Sequence, residues 1–417
     1  MKNITLKLFP ILISIVFLFP ILKESLSSFA VILLCVNTII YKISAKEYNF
    51  LEPKTLLLTI PFWIILISAV FSSDFQKSIS HIQHALFFLI IPVFFSLIPK
   101  EFFTHQKINL YITVLKITCL TITIIYIVAF FLNNPFDKFF VVFQNVSSFR
   151  DYIYFNFKLF VIHPTYFTAI LIFCSAHSFA LVLKQKKYIE LLFVTCFLLI
   201  SFLLLTRLNI VLLVLLLIGM LLSMGKLGLK KRILFSATVM LLITSLALLT
   251  PGIKNRFVEL YHSFNKAPVD LSYDSTNIRK AIFDCSVAIA KENLLYGVGF
   301  ENLQTKLNEC YGKNYDSSFY ESHNYLTHNY YFYILISTGI IGFFFFLIYL
   351  ITIIRIAIKS NIFLLNIVIF NILILCLIED YLYRHFGILY FNLLLMCFIQ
   401  YSKNNPKKDS SETETLP

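Results

Sequence analysis

Two arginines and one histidine in the sequence have the side chains needed to transfer a group away from a diphosphate. Arg207 lies at a junction between apolar runs, Arg279 near the start of an amphipathic segment, and His328 at the start of a long apolar run. Guanidinium groups bind phosphate oxygens through paired hydrogen bonds, and an imidazole titrates near neutral pH. If the three side chains meet, the arginines would hold a diphosphate and the histidine would deprotonate an attacking hydroxyl.

Each of these residues also has a plainer interpretation. A charge at an apolar junction is costly unless it is paired or faces a cavity, but Arg207 could instead extend to the lipid headgroups. Arg279 alone would more often be a solvated charge, and a single histidine at a helix end is more often structural than catalytic. The chemical hypothesis therefore depends on the convergence of all three residues at one membrane face. Other polar residues near helix ends that share this face in the predicted topology are His163, His323, Glu379, Asp380, Arg384 and His385.

The composition predicts that membrane helices position these residues. The chain of 417 residues is 59% hydrophobic and 14% charged, with a mean hydropathy of +0.81. Repeated apolar runs of about 17–25 residues are typical of membrane helices. The net charge of +13 comes from short loops between these runs, so we interpret it as a determinant of topology and expect no nucleic-acid partner.

Twelve apolar runs predict an all-α polytopic fold of about twelve transmembrane helices, followed by a disordered tail over 401–417. No cleavage site follows the first run, which is therefore expected to remain as a helix. Short segments on the side of the N-terminus carry nineteen Lys and Arg residues, against seven on the other side, which places both termini in the cytoplasm. The runs are 6–22, 26–43, 55–72, 81–98, 108–132, 163–183, 188–205, 208–224, 232–250, 329–354, 361–378 and 386–400.

The long polar segment 251–327 separates helices 1–9, within 1–250, from helices 10–12, within 328–400. By helix count this segment is a large extracytoplasmic loop. Helical spacing returns inside it at 257–264, then after a cap at Ser275 or Thr276 up to Asn293, and again around Leu303 and Leu307. We expect two or three amphipathic helices that lie over the mouth of the membrane domain.

Cysteine usage leaves one question open in this loop. Cys285 and Cys310 both lie in the polar segment, and an oxidising compartment would let them pair. The alternative is that both remain free thiols in the small core of the loop. The other cysteines lie in apolar runs as small hydrophobic residues: Cys35, Cys119, Cys174, Cys196, Cys376 and Cys397.

Several motifs for other chemistries are missing from the sequence. It has no Asp-x-Asp for a metal-bound sugar nucleotide, no phosphate-binding Gly-x-x-x-x-Gly-Lys-Ser/Thr loop, no Cys-x-x-Cys and no Gly-x-Ser-x-Gly. Nucleotide-driven chemistry is therefore not expected, and neither a metal nor a cofactor is predicted.

Four stretches of the chain resemble the bacterial superfamily of O-antigen ligases and O-antigen polymerases. The stretch from Arg279 to Phe300 is similar to an arginine-led helix that ends in a Gly-x-Gly turn, and the stretch from His328 to Gly342 resembles a His-Asn helix start followed by Gly-x-x-Gly. The Thr206–Arg207 pair and the segment 379–387 add weaker likeness. The resemblance spans about 162–400. Asn293 and Ser337 depart from the pattern, as does the absence of a tryptophan from the loop helix.

The resemblance implies a GT-C-like membrane glycosyltransferase of the bacterial inner membrane, with its active site on the periplasmic side. The donor would be a glycan on undecaprenyl diphosphate, and the reaction would be metal-independent and inverting. Arg207 and Arg279 would bind the diphosphate, His328 would activate the acceptor hydroxyl, and Arg384 would be an added diphosphate contact. Candidate supporting residues are His163, His323, Asn329 and Glu379. A second His-Asn pair at His323 leaves the register open, but the spacing to Gly339 favours His328.

The sequence leaves the acceptor open. A ligase would move the glycan to lipid A-core or another surface acceptor, whereas a polymerase would use a second lipid-linked repeat unit. A flippase for lipid-linked sugars is an alternative of another class and predicts charged or polar groups in mid-helix, for which Lys116 and His177 are the main candidates. A non-catalytic assembly protein of the cell envelope is a further alternative.

Overall fold

The structure is a computed structural model that describes residues 2–46, 51–143, 146–160, 162–222, 275–315 and 324–404, with isolated positions between 223 and 274. The helices, numbered in chain order, are α1 Lys2–Phe17, α2 Glu24–Ala45, α3 Pro53–Leu58, α4 Ile60–Val70, α5 Phe75–Leu97, α6 His105–Asn133, α7 Ser148–Asp151, α8 Pro164–Gln185, α9 Glu190–Leu203, α10 Arg207–Leu222, α11 Ser275–Glu292, α12 Leu303–Tyr315, α13 Tyr330–Ser360, α14 Phe363–Leu375 and α15 His385–Asn404. Two-residue strands, β1 Val142–Phe143 and β2 Val146–Ser147, pair antiparallel between α6 and α7.

The chain is an all-α polytopic membrane protein. Within the described residues, six helices are long and apolar enough to cross a membrane: α2, α5, α6, α8, α13 and α15. Four shorter apolar helices accompany them. Eleven of the twelve predicted apolar runs coincide with helices. The ninth run, 232–250, lies mostly outside the described residues.

Two compact units make up the chain, and their boundaries cut across the order of the sequence. The first unit comprises Met1–Thr5, Thr38–Thr104 and Leu260–Ser411, and the second comprises Leu6–Asn37, His105–Glu259 and Glu412–Pro417. In the first unit, α15 is almost fully buried and packs against α5 and α14. In the second unit, α8 is the most buried helix and packs against α9 and α10. Each unit therefore has its own core helix.

Both described helices of the long polar segment follow the predicted amphipathic pattern. In α11 the buried positions include Ile278, Ala281, Ile282 and Cys285, and in α12 they include Leu303. The sequence predicted a cap at Ser275 or Thr276 and an end at Asn293, and the observed helix runs from Ser275 to Glu292. The predicted helix over 257–264 lies outside the described residues, apart from two isolated positions.

Candidate active site

A carboxylate in the first unit joins the predicted arginine to the predicted base. Glu379 accepts a hydrogen bond from Arg279 Nη2 at 2.9 Å through Oε1, and its Oε2 lies 3.1 Å from His328 Nδ1. The side chain of Glu379 is 14% exposed, whereas those of Arg279 and His328 are 48% and 30% exposed. Glu379 thus has one oxygen on the cation and one on the imidazole, while both partners remain accessible.

The turn between α14 and α15 positions the histidine through its main chain. Next to Glu379, the buried Asp380 accepts hydrogen bonds from the amides of His328 at 3.0 Å and Asn329 at 3.2 Å, and from the hydroxyl of Thr327. His328 has a φ of 43°, a left-handed conformation that is uncommon for residues other than glycine. Several hydrogen bonds to one carboxylate hold the backbone in this conformation.

Asp380 experiences opposing electrostatic effects at this position. Burial raises the pKa of its carboxyl, while the nearby His328 and the hydroxyl of Thr327 act in the opposite direction. The amide hydrogen bonds require acceptor oxygens, which the carboxylate supplies. Asp380 was recognised in the sequence as a polar residue near a helix end, but its role as an anchor for the backbone was not predicted.

Asn329 caps the helix that follows the histidine. Its Oδ1 accepts from the amides of Tyr331 at 3.0 Å and Phe332 at 3.1 Å, and its Nδ2 donates to the carbonyl of Leu377 at 3.0 Å. An asparagine at the N-cap satisfies amides that have no partner within the helix. The candidate supporting residue Asn329 is therefore placed as a cap that ties α13 to the Glu379 turn.

A break in α13 fixes the helix that carries Arg279. Gly339 has φ 63° and ψ −167° within α13, and the segment after α11 forms main-chain hydrogen bonds there. Val298 N donates to Ile336 O at 2.9 Å, and Ile340 N donates to Leu294 O at 2.7 Å. A Cβ at Gly339 would collide with the backbone of Leu295. Gly339, which was noticed in the sequence, thus permits two backbones to touch, a role that the pattern alone did not reveal.

A disulfide ties α11 to α12. Cys285 and Cys310 are bonded, with their Cα atoms 5.8 Å apart. Tyr315 at the end of α12 donates a hydrogen bond to Asp284 Oδ2 at 3.2 Å. Burial and the charge of Asp284 raise the pKa of Tyr315 to about 12, so it remains a neutral donor. The amphipathic pair is therefore linked by a covalent bond and by a polar contact.

The other predicted site residues are Arg384, Arg207, His163 and His323. Arg384 is exposed on the turn before α15 and forms no ion pair with any described residue. Arg207 begins α10 and His163 caps α8, and both belong to the second unit. The Nδ1 atom of His163 accepts from the amide of Thr165 at 3.2 Å. His323 lies outside the described residues.

Lys116 and His177, the mid-helix candidates of the flippase alternative, both contact other side chains of the second unit. Lys116 Nζ lies 2.6 Å from Glu190 Oε2, with side chains 1% and 13% exposed, and 5.0 Å from the centre of the Phe193 ring. The Nε2 atom of His177 lies 3.2 Å from Asn109 Oδ1. Among the described residues, no group of three His, Cys, Asp or Glu is arranged to hold a metal ion.

Two histidines of α5 were missed by the sequence interpretation. His81 and His84 are three residues apart near the start of the helix and therefore share one face. The Nδ1 atom of His81 lies 3.0 Å from Tyr333 Oη, and His84 packs on the ring of Tyr383. Their spacing of three residues was the available signal.

A comparison with protein families finds a similarity in the central part of the chain. Residues 168–347 match the family model described as O-antigen ligase. The matched range contains Arg207, Arg279, His328 and Gly339, and it ends before Glu379. No curated protein matches the chain.

Proposed function

We propose that this chain, a membrane enzyme of the O-antigen ligase and polymerase type, transfers a glycan from undecaprenyl diphosphate to lipid A-core or another surface acceptor. The observation that carries the proposal is the contact of Glu379 with both Arg279 and His328. A displacement at a sugar diphosphate needs a base for the attacking hydroxyl and a cation for the leaving diphosphate. Glu379 holds one candidate for each role.

His328 is the base in this reaction. Its Nδ1 faces Glu379, and when Nδ1–H donates a hydrogen bond to that carboxylate, Nε2 carries no proton and can accept one. The acceptor hydroxyl loses its proton to Nε2 as its oxygen attacks the anomeric carbon. The bond from that carbon to the diphosphate breaks on the opposite face, so the configuration at the sugar inverts.

Arg279 stabilises the leaving group. Glu379 contacts its guanidinium through Nη2, and 48% of the side chain is exposed. The other N–H donors can therefore reach phosphate oxygens, which gain negative charge as the bond breaks. We assign Arg207 and Arg384 to the same diphosphate by their match to the family pattern. The proposal needs no metal, because guanidinium groups supply the positive charge.

The proposed topology follows the distribution of basic residues. Both termini would be cytoplasmic in the bacterial inner membrane, and the segment 251–327 would be periplasmic. The site would then face lipid-linked donors in the outer leaflet. A polymerase that uses a second lipid-linked repeat unit as acceptor remains the runner-up, since it needs the same donor site.

The test of this proposal measures transfer by the purified, membrane-inserted protein from a polyprenyl-diphosphate-linked glycan. His328→Ala is expected to lower the rate by about 10²–10⁴-fold, the contribution of a positioned general base. Arg279→Ala is expected to lower it by about 10²–10³-fold, the usual cost of removing one group that stabilises developing charge.

Two matched variants control for the loss of a similar side chain. Arg355→Ala removes an exposed arginine near the other end of α13, and His105→Ala removes the histidine that begins α6. Both should retain transfer. Full transfer by His328→Ala and Arg279→Ala, with normal expression and folding, would rule out the mechanism. A ladder of chain lengths made without an acceptor core would identify a polymerase.

A further inference from the structure

A cluster of imidazole and phenyl rings in the first unit lies next to the catalytic turn. The His81 ring lies 5.7 Å from that of Phe300 and 5.8 Å from that of Tyr383, measured between ring centres. The His84 ring lies 5.1 Å from that of Tyr383. Tyr333 lies 5.3 Å from Tyr383 and contacts His81 through its hydroxyl. These rings come from four separate elements: α5, the segment between α11 and α12, α13 and the turn before α15.

The same turn connects the ring cluster to the proposed reacting groups. Tyr383 follows Glu379 by four residues and Asp380 by three. Asp380, which anchors the backbone of His328, also interacts electrostatically with Tyr383 and Tyr333. A molecule held on these rings would therefore lie beside the proposed catalytic residues.

A carboxylate beside the rings has an oxygen without a hydrogen-bond partner in the described part of the chain. The Oε1 atom of Glu301 accepts from Asn302 Nδ2 at 3.2 Å, whereas its Oε2 atom is buried and forms no hydrogen bond with any residue that the structure describes. Glu301 is close enough to His81 for an electrostatic interaction. An acceptor oxygen that is buried and unsatisfied costs about 1–3 kcal/mol, so a hydroxyl donor supplied by a ligand would be favourable here.

Partial exposure makes the cluster accessible. His81, His84 and Tyr383 each retain an accessible surface, although Phe300 and Tyr333 are buried. Partly exposed imidazole rings and a carboxylate suit a polar ligand better than an acyl chain, which offers no hydrogen-bond donor. A pyranose ring has one apolar face for the rings and hydroxyls at its edge for Glu301.

We propose that His81, His84, Tyr383 and Glu301 form a sugar-binding subsite beside the catalytic cluster. It takes one saccharide residue, stacked on the rings, with a hydroxyl donated to the free oxygen of Glu301. The saccharide belongs either to the glycan of the donor or to the glycan of the acceptor, and kinetics separates these two sources. This inference rests on the proposed glycosyl transfer.

The test measures kcat and both KM values with the purified protein in lipid nanodiscs. Glu301→Gln and His84→Ala should raise the KM for one substrate by about tenfold or more, as expected for a lost hydrogen bond to a charged group and for a lost stacking ring. The other KM should stay unchanged. A rise for the lipid-linked donor assigns the subsite to the donor glycan, and a rise for the acceptor assigns it to the acceptor glycan.

Two further variants protect this test from effects on folding. His84→Phe keeps a flat ring and should retain most of the normal KM, whereas Gln83→Ala removes the exposed neighbour of His84 and should change neither KM. The subsite is refuted if neither KM moves in Glu301→Gln and His84→Ala while His328→Ala has lost transfer. Retained transfer by His328→Ala would instead refute the proposed mechanism, so the two failures are distinguishable.

Discussion

The two units each contain a carboxylate that contacts a basic side chain, but the two arrangements differ in exposure. In the first unit, Glu379 links Arg279 and His328, and both partners retain accessible surface. In the second unit, Lys116 and Glu190 form a pair that is nearly closed to solvent. A closed pair satisfies its own charges, whereas the open cluster leaves N–H donors and an imidazole nitrogen for a substrate. The difference separates a structural ion pair from a candidate active site made of similar residues.

The two arrangements also differ in the backbone that supports them. Lys116 lies within α6, a continuous helix, and Glu190 begins α9. The open cluster instead depends on a left-handed residue at His328, a cap at Asn329 and a helix break at Gly339. Strained and interrupted backbone is typical of functional sites, where the surrounding structure compensates for its cost.

The largest expected effect is on stability, through the closed pair. Lys116→Met leaves the mostly buried Glu190 without its partner, which should lower the free energy of unfolding by about 3–5 kcal/mol. Transfer per folded molecule should be unchanged. Thermal unfolding in detergent and the transfer rate measured well below the midpoint check both parts. The double variant Lys116→Met with Glu190→Leu should recover most of the stability. A loss of activity without a loss of stability would favour the flippase alternative, in which Lys116 has a functional role.

The next effect concerns the helix break that supports the open cluster. Gly339→Ala places a Cβ against the backbone of Leu295 at a positive φ, so we expect a loss of about 2–4 kcal/mol from overpacking and strain. Gly312→Ala in α12 is the matched control, because its Cβ would meet no atom within 4 Å. Thermal unfolding midpoints of the two variants check the prediction: the midpoint of Gly339→Ala should be the lower one. Equal midpoints would show that the contact between α13 and the segment after α11 does not require a glycine.

A smaller effect on catalysis is expected at the bridging carboxylate. Glu379→Gln keeps the shape but removes the charge that orients His328 and Arg279, so kcat should fall by at least about tenfold, part of the 10²–10⁴ contributed by a positioned base. The unfolding midpoint should not change, and Glu379→Asp should restore part of kcat. Glu309→Gln, in an exposed ion pair with Lys306 on α12, is the control. An unchanged kcat in Glu379→Gln would show that the contact of Glu379 with His328 and Arg279 does not contribute to catalysis.

The smallest effect is a change in how stability depends on pH. Burial raises the pKa of Asp380 in the folded state, so the folded chain binds this proton more tightly than the unfolded chain. The free energy of unfolding should therefore fall as pH rises from about 4, the ordinary value, through the raised value. Asp380→Asn cannot titrate, so its free energy of unfolding should lack this part of the pH dependence. Unfolding midpoints measured across this range test the prediction, which identical slopes would contradict.

The sequence predicted elements whose cause is local. Hydrophobic length identified the membrane helices, and the amphipathic pattern after Ser275 predicted α11, because burial of an apolar face determines helix formation there. The third apolar run is two helices, α3 and α4, separated at Thr59. Pro61 lies in the first turn of α4, and a proline removes a hydrogen bond from a continuing helix. That proline was the local signal for the break.

Features that depend on distant contacts could not be predicted from the sequence. The break at Gly339 is stabilised by main-chain hydrogen bonds to a segment about forty residues earlier. The bridge by Glu379 joins residues 100 and 51 positions away. The likeness to a family selected Arg279 and His328, and Glu379 was proposed only as a supporting residue. Its contact with both residues required the three-dimensional arrangement.

The most direct test of the central claim is a double-mutant cycle on transfer by the purified protein. It compares His328→Ala, Arg279→Ala and the variant with both changes, at saturating donor and acceptor. If the two residues act as one unit through Glu379, the double variant should lose much less than the product of the single losses, with a coupling of about 1 kcal/mol or more. Losses that multiply would show that the residues act independently and would contradict the account.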